Sequence, residues 1–255
     1  MNPVVLITGA TSGFGRASAL LLARHEFDVI TTGRRSDMLE SLEEEIRAKT
    51  TADVLSLTFD IRNPEAVESA CRKLTGKWSK VDVLVNNAGL AAGLNPIHEG
   101  DVDDWEQMID TNIRGLLYIT RQITPGMVDR GKGHIINVGS IAGKEAYEKG
   151  NVYNATKFAV DGLTRAMRID LVDHGIKVSA IHPGAAETEF SMVRFKGDLE
   201  RANSVYKGFT PLYAEDIAEA ILFMITRPPH VNIDDMLIMP TSQAGATRII
   251  RKEKG

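Results

Sequence analysis

In Val4-Val5-Leu6-Ile7-Thr8-Gly9-Ala10-Thr11-Ser12-Gly13-Phe14-Gly15 an unbroken apolar run passes into a turn with three glycines, and a helical pattern opens at Gly13. A short run that is apolar at every position reads as a strand buried on both faces. Glycines directly after it let the backbone come close to a ligand, and the free amide N–H groups at the start of the helix attract negative charge. Gly9, Thr11, Ser12, Gly13, Phe14 and Gly15 are therefore candidates for holding a pyrophosphate. The plain alternative is a tight turn with glycine for steric reasons. The position of the loop, after a first strand and before a helix, favours a dinucleotide site.

Working outward, apolar runs recur at Val4–Thr8, Asp28–Thr32, Val54–Phe59, Val81–Asn86, His134–Gly139, Lys177–Ile181 and Met236–Met239. Helical patterns lie between them at Gly13–His25, Asp37–Lys49, Pro64–Leu74, Asp103–Arg130, Val152–His174 and Ala214–Thr226, the fourth with an expected break near Pro125. Strand and helix alternating in this way predict an α/β fold with a doubly wound, Rossmann-like parallel sheet in a single domain. Ligands of such sheets sit outside the carboxyl ends of the strands. The stretch 189–211 follows a strand end without a clear period and reads as a mobile substrate flap.

The 255 residues are 43% hydrophobic and 25% charged, enough to build a core without staples. The net charge of −4 argues against a nucleic-acid partner, which needs a basic face. Cys71 stands alone, so no intrachain disulfide is expected, and with no leader sequence in view a cytoplasmic location is expected. No apolar run approaches the length of a membrane span, so no membrane partner is expected. The six histidines show no ligand spacing, and no metal is expected.

Cofactor choice is read at the end of the second strand, where a carboxylate would bind the 2′-hydroxyl of NAD. Here the sequence is Thr32-Gly33-Arg34-Arg35, without an acid. Two guanidiniums suit a 2′-phosphate, each charged hydrogen bond being worth about 1.5–3 kcal/mol, so the expected cofactor is NADP. The alternative is a pair of solvated loop arginines.

Tyr153 and Lys157 stand four residues apart on one helical face, and Ser140 closes the fifth strand in Asn137-Val138-Gly139-Ser140. Together they could converge on a carbonyl that gains or loses hydride. A free phenol titrates near 10, too high for proton transfer at neutral pH. An ammonium ~4 Å away is worth about 4 kcal/mol, or roughly three pKa units, so Lys157 is expected to bring the Tyr153 phenol towards neutrality. Ser140 would donate to the substrate oxygen.

With these residues in place, the chain resembles the short-chain dehydrogenases/reductases over nearly its whole length. The likeness rests on Thr8-Gly9-x-x-x-Gly13-x-Gly15, Asn86-Asn87-Ala88-Gly89, Asn112, Ser140, Tyr153-x-x-x-Lys157 and Pro183-Gly184-x-x-x-Thr188. It implies that Asp60 and Ile61 flank adenine and that Asn87, Ala88 and Gly89 line the cofactor. It also implies that Lys157 holds the nicotinamide ribose, that Asn112 positions a water in a proton relay ending at Tyr153, and that Pro183, Gly184 and Thr188 border the nicotinamide.

A narrower resemblance is to the NADP-dependent 3-hydroxy acid dehydrogenases, which act on serine, allo-threonine and related acids and reduce malonic semialdehyde. It rests on Asn86 to Ala91, Gly150-Asn151-Val152-Tyr153, Glu187 to Gly197 and Pro240 to Ala244. Ala185-Ala186 departs from that group, which carries bulkier apolar residues there, and His182 before Pro183 is a second departure. A hydroxy acid needs a cation, and Arg194 in the flap is the candidate anchor, with Lys196 and Arg248 behind it. The family likeness also implies a homotetramer paired through the long helices. Alternatives are a broader carbonyl or ketoacyl reductase of the same fold, and a non-catalytic NADP-binding sensor.

Overall fold

The computed structural model describes residues 2–252. Its seven strands are β1 (Val4–Ile7), β2 (Asp28–Gly33), β3 (Val54–Thr58), β4 (Val81–Asn86), β5 (Gly133–Val138), β6 (Ile176–Pro183) and β7 (Asp235–Ile238). They form one sheet in the order β3-β2-β1-β4-β5-β6-β7, and every pairing is parallel. The helices are α1 (Gly13–Arg24), α2 (Ser36–Lys49), α3 (Pro64–Cys71), α4 (Val102–Ile109), α5 (Leu116–Arg130), α6 (Asn151–Leu171), α7 (Phe190–Arg194), α8 (Leu199–Ser204) and α9 (Ala214–Ile225).

Alternate residues of the central strands serve opposite cores. Val5 and Ile7 pack with Leu22 of α1, Leu39 and Leu42 of α2, and Ile217 and Ile221 of α9. Val4 and Leu6 pack with Val67 of α3, Ile119, Ile123 and Met127 of α5, and Leu171 of α6. This is why the strands read as continuous apolar runs. Strand order reverses between β1 and β4, which opens a crevice at their carboxyl ends.

The expected break near Pro125 is not there. α5 runs through the proline, because the carbonyl that loses its donor belongs to exposed Arg121, where water can satisfy it. The irregularity falls earlier, in a wide π turn at Asp110–Gly115 between α4 and α5, with Thr111, Asn112 and Gly115 buried. The flap at 189–211 is not irregular either: it carries α7 and α8, each too short to show a period. Glu45 binds Arg16 at 2.5 Å and ties α1 to α2.

His134 at the start of β5 is buried, with Nε2 2.8 Å from Ser179 Oγ. Burial, with a smaller contribution from the Lys177 charge, pulls its pKa down to about 3. The unfolded chain binds this proton near pH 6.5 and the folded chain does not, so stability should fall as pH drops from 6.5 towards 3. Denaturant unfolding of His134→Gln should show a shallower decline across that window than the unsubstituted protein; equal slopes would refute the assignment.

Candidate active site

The crevice between β1 and β4 opens into a cleft of about 610 Å³, within the range of ligand sites. The glycine loop forms one wall. Gly9 (φ +65°) and Gly13 (φ +50°) are left-handed, which L side chains rarely tolerate. A Cβ at Gly15 would lie 2.4 Å from the Gly9 carbonyl oxygen, so Gly15 sits beneath the loop and permits its tightness. No side chain caps α1 and no acid stands in its first turn, which leaves the leading amides open to an anion.

The loop is clamped to the end of β4. The Asn87 amide donates to the carbonyls of Thr8 (2.8 Å) and Gly9 (3.1 Å), while Thr8 Oγ1 accepts from the backbone N–H groups of Asn87 and Ala88. Asn87 thus braces the wall of the cleft, and Ala88 and Gly89 continue it.

At the end of β2, Arg34 and Arg35 both face the cleft. Arg35 donates to Thr11 Oγ1 (2.8 Å) and pairs with Glu189 of the flap (3.1 Å). Arg62 grips Asp60 through three side-chain bonds of 2.6–3.0 Å. These bonds, chiefly, hold the Asp60 carboxyl below its ordinary range, with the Arg34 charge a smaller influence. Ile61 lies beside it on the same rim. These residues fit a phosphorylated dinucleotide: open helix amides for its pyrophosphate and two guanidiniums for a further phosphate.

At the other end of the cleft, Ser140, Tyr153 and Lys157 converge, with Pro183, Gly184 and Thr188 bordering them. Ser140 follows β5 and accepts a hydrogen bond from Ala142 N (3.1 Å). Tyr153 and Lys157 lie one turn apart in α6 and are both buried. The expected coupling between them is absent. Lys157 Nζ donates to the Val138 carbonyl (2.9 Å) and lies 5.9 Å from the centre of the Tyr153 ring. Burial lowers Lys157 to about 8. Burial also drives the Tyr153 phenol upwards, with Ser140 and the Arg194 charge pulling weakly the other way. Desolvation outweighs an ammonium directed at a different oxygen.

Asn112 lies behind the cleft in the π turn. Its carboxamide bonds both the N–H and the carbonyl of Leu90 (2.8 Å each) and Thr156 Oγ1 (3.0 Å). It therefore ties the segment after β4 to α6.

Arg194, at the end of α7, reaches between two aromatic rings, 5.4 Å from the centre of Tyr147 and 5.8 Å from that of Tyr153. Its Nε meets the Gly93 carbonyl at 3.4 Å, while the buried Nη2 has no partner. Lys196 and Arg248 do not stand behind it. Lys196 pairs with Asp101 and Asp104, and Arg248 is exposed and does not line the cleft. Three neighbours carry no sequence signal: Tyr147, Glu189 on Arg35, and Phe190, whose ring centre lies 5.5 Å from that of Tyr153. Nor does spacing reveal the cluster of Asp161, His182 and Asp235 behind Ser140.

Residues 3–198 match the family model for the short chain dehydrogenases, and the chain belongs to that family. It is similar to the NADP-dependent 3-hydroxy acid dehydrogenase YdfG of Salmonella typhi, 48% identical over 244 residues that cover 95% of this chain and 97% of the relative. It is 43% identical over 245 residues to sulfoacetaldehyde reductase 2 of Chromohalobacter salexigens, covering 96% of each chain. Among solved structures, the closed form of serine dehydrogenase complexed with NADP+ superposes with a TM-score of 0.91 at 43% identity, covering 98% of this chain and 100% of that one.

Without cofactor, the phenol of Tyr153 should stay protonated well beyond the ordinary tyrosine value of 10 while Lys157 titrates near 8. The difference in phenolate absorbance between the protein and Tyr153→Phe should therefore stay flat up to pH 10; a rise around neutrality would contradict the burial argument.

Proposed function

We propose that this NADP-dependent oxidoreductase interconverts the 3-hydroxyl of a small 3-hydroxy acid, of the serine, allo-threonine or 3-hydroxypropionate type, with the corresponding carbonyl. The observation that carries the reading is Arg194: a half-buried guanidinium whose Nη2 is buried and unpartnered, set against the ring of Tyr153. An unpaired buried donor is costly unless a ligand completes it. A carboxylate held there brings the hydroxyl two carbons away towards Tyr153 and Ser140.

NADP, when bound, takes up or delivers the hydride. Tyr153 gives its proton to the carbonyl oxygen during reduction and, as the phenolate left once its own proton has passed to the relay, takes the hydroxyl proton during oxidation, while Ser140 donates to the same oxygen as charge develops there. Lys157 holds the nicotinamide ribose. Asn112, its carboxamide already committed to Leu90 and Thr156, serves the proton relay through its main chain. Gly9, Thr11, Ser12, Gly13 and Phe14 hold the pyrophosphate, with Gly15 supporting the turn. Asp60 and Ile61 flank the adenine, Asn87 to Gly89 line the cofactor, and Pro183, Gly184 and Thr188 border the nicotinamide.

A second reading has a specific support. The guanidinium of Arg194 suits a sulfonate as well as a carboxylate, and one relative is a sulfoacetaldehyde reductase. The sensor reading is set aside, because the chain belongs to a family of dehydrogenases. Leu117 of α5 and Phe158 and Ile169 of α6 leave apolar surface exposed, which supports pairing of these helices in a homotetramer. Among the described residues no helix is long and apolar enough to cross a membrane. Our reading of the location is the cytoplasm.

Arg194→Ala should raise the KM for L-serine or L-allo-threonine about 10- to 100-fold, the loss of one charged hydrogen bond. Tyr153→Phe should cut kcat by about 100-fold or more with NADP still bound. An unaltered KM in the first variant removes the anchor; wild-type turnover in the second removes the mechanism. Arg34→Ala should lower kcat/KM for NADP by roughly ten- to hundredfold and leave that for NAD nearly as it was. Equal losses with both cofactors would reassign Arg34.

A further inference from the structure

Behind Ser140, on the side away from the substrate, four residues from four segments meet. His182 stands one residue before the end of β6, Asp235 opens β7, Asp161 lies on α6, and Lys144 follows the short turn that Ser140 begins. The His182 side chain is fully buried. Its Nδ1 lies 3.3 Å from the Ser140 carbonyl oxygen, which can only accept, so Nδ1 carries the proton. Nε2 then faces Asp235 at 3.3 Å and Asp161 at 3.6 Å without a hydrogen-bond partner.

Lys144 bonds both carboxylates, Asp161 at 2.7 Å and Asp235 more closely still. Its ammonium supplies the positive charge that a metal ion would otherwise bring to the two acids and the imidazole. Arg165 adds a second positive charge on Asp161 at 3.0 Å. The cluster is thus balanced by the chain's own side chains.

The geometry has two consequences for Ser140. The His182 ring occupies the space beside Gly139, where a Cβ would lie 2.4 Å from Nδ1, so ring and strand end fit against each other only with glycine there. The turn Ser140–Lys144 is also pinned at both ends, by His182 at its first carbonyl and by Lys144 on α6 and β7. Asp161 stands one turn beyond Lys157, which stands one turn beyond Tyr153, so this pin is attached to the helix that presents the phenol.

We propose that His182, with Lys144, Asp161 and Asp235, is a positioning cluster that fixes Ser140 against Tyr153. The proposal rests on the reading of Ser140 as the donor to the substrate oxygen. A group displaced by about 1 Å from its productive geometry can lose up to about a hundredfold in rate, so removing the pin acts on turnover rather than on cofactor binding.

The test is steady-state kinetics of purified His182→Leu, His182→Asn, Ser140→Ala and the double variant His182→Leu/Ser140→Ala, with NADP and the best hydroxy acid. His182→Leu should lower kcat by about tenfold or more with the KM for NADP within about twofold of wild type. His182→Asn, whose side-chain amide can donate from nearly the same position as Nδ1, should restore kcat to within about threefold. In the Ser140→Ala background, His182→Leu should cost less than about twofold further, because the effect passes through Ser140. Wild-type kcat in His182→Leu, or full multiplicativity in the double variant, overturns the cluster's role. Wild-type turnover in Ser140→Ala instead overturns the reading beneath it. Should His182→Leu fail to fold, Lys144→Gln releases the other end of the turn. It should lower kcat with the same loss of additivity, and an unchanged kcat overturns the proposal.

Discussion

The seating of α6 against the end of β5 is the constraint from which the site follows. Lys157 buries its ammonium there and offers it to the Val138 carbonyl, the last residue of the strand. A charge removed from water needs such a partner, and this one fixes the helix along its axis. Tyr153 a turn earlier and Ser140 two residues beyond Val138 then have no freedom to separate. The polar groups converge because one helix is nailed to one strand end.

The same burial sets the electrostatics. In a solvated pair, an ammonium four residues from a phenol would pull the phenol's pKa down. Here both groups are desolvated and the ammonium is turned towards a backbone oxygen, so the phenol rises and the amine falls. The phenol therefore stays neutral while the amine, at about 8, keeps its charge only narrowly at neutral pH. The unpartnered nitrogen of Arg194 has the same character: a charged donor held in place, awaiting an acceptor.

Much of this was legible in the sequence. The apolar runs and the glycine loop are local signals, and the sheet with both faces covered followed from them. Ser140, Tyr153 and Lys157 stood out by spacing and by their place at strand ends. What was illegible depends on long-range packing. The π turn at Asp110–Gly115 holds no proline, so the irregularity was expected at Pro125 instead. α7 and α8 are too short for a period. Tyr147 meets Arg194, and His182 meets Asp161 and Asp235, only through the fold, and no spacing rule joins them. The direction of Lys157, on which the phenol's acidity turns, is decided by a carbonyl that every residue possesses.

The wide turn between α4 and α5 has a bearing on how the chain tolerates change in length. It places Thr111, Asn112, Gly115 and Leu116 all inward, and the residues of α5 take their facing from it. Losing a single residue there would rotate everything after it by about 100°. Ile119, Ile123 and Met127 would swing from the core towards water. The exposed turn at Gly131, between α5 and β5, can absorb an added residue; the stretch around Asn112 behaves as a gear tooth, whose count cannot alter.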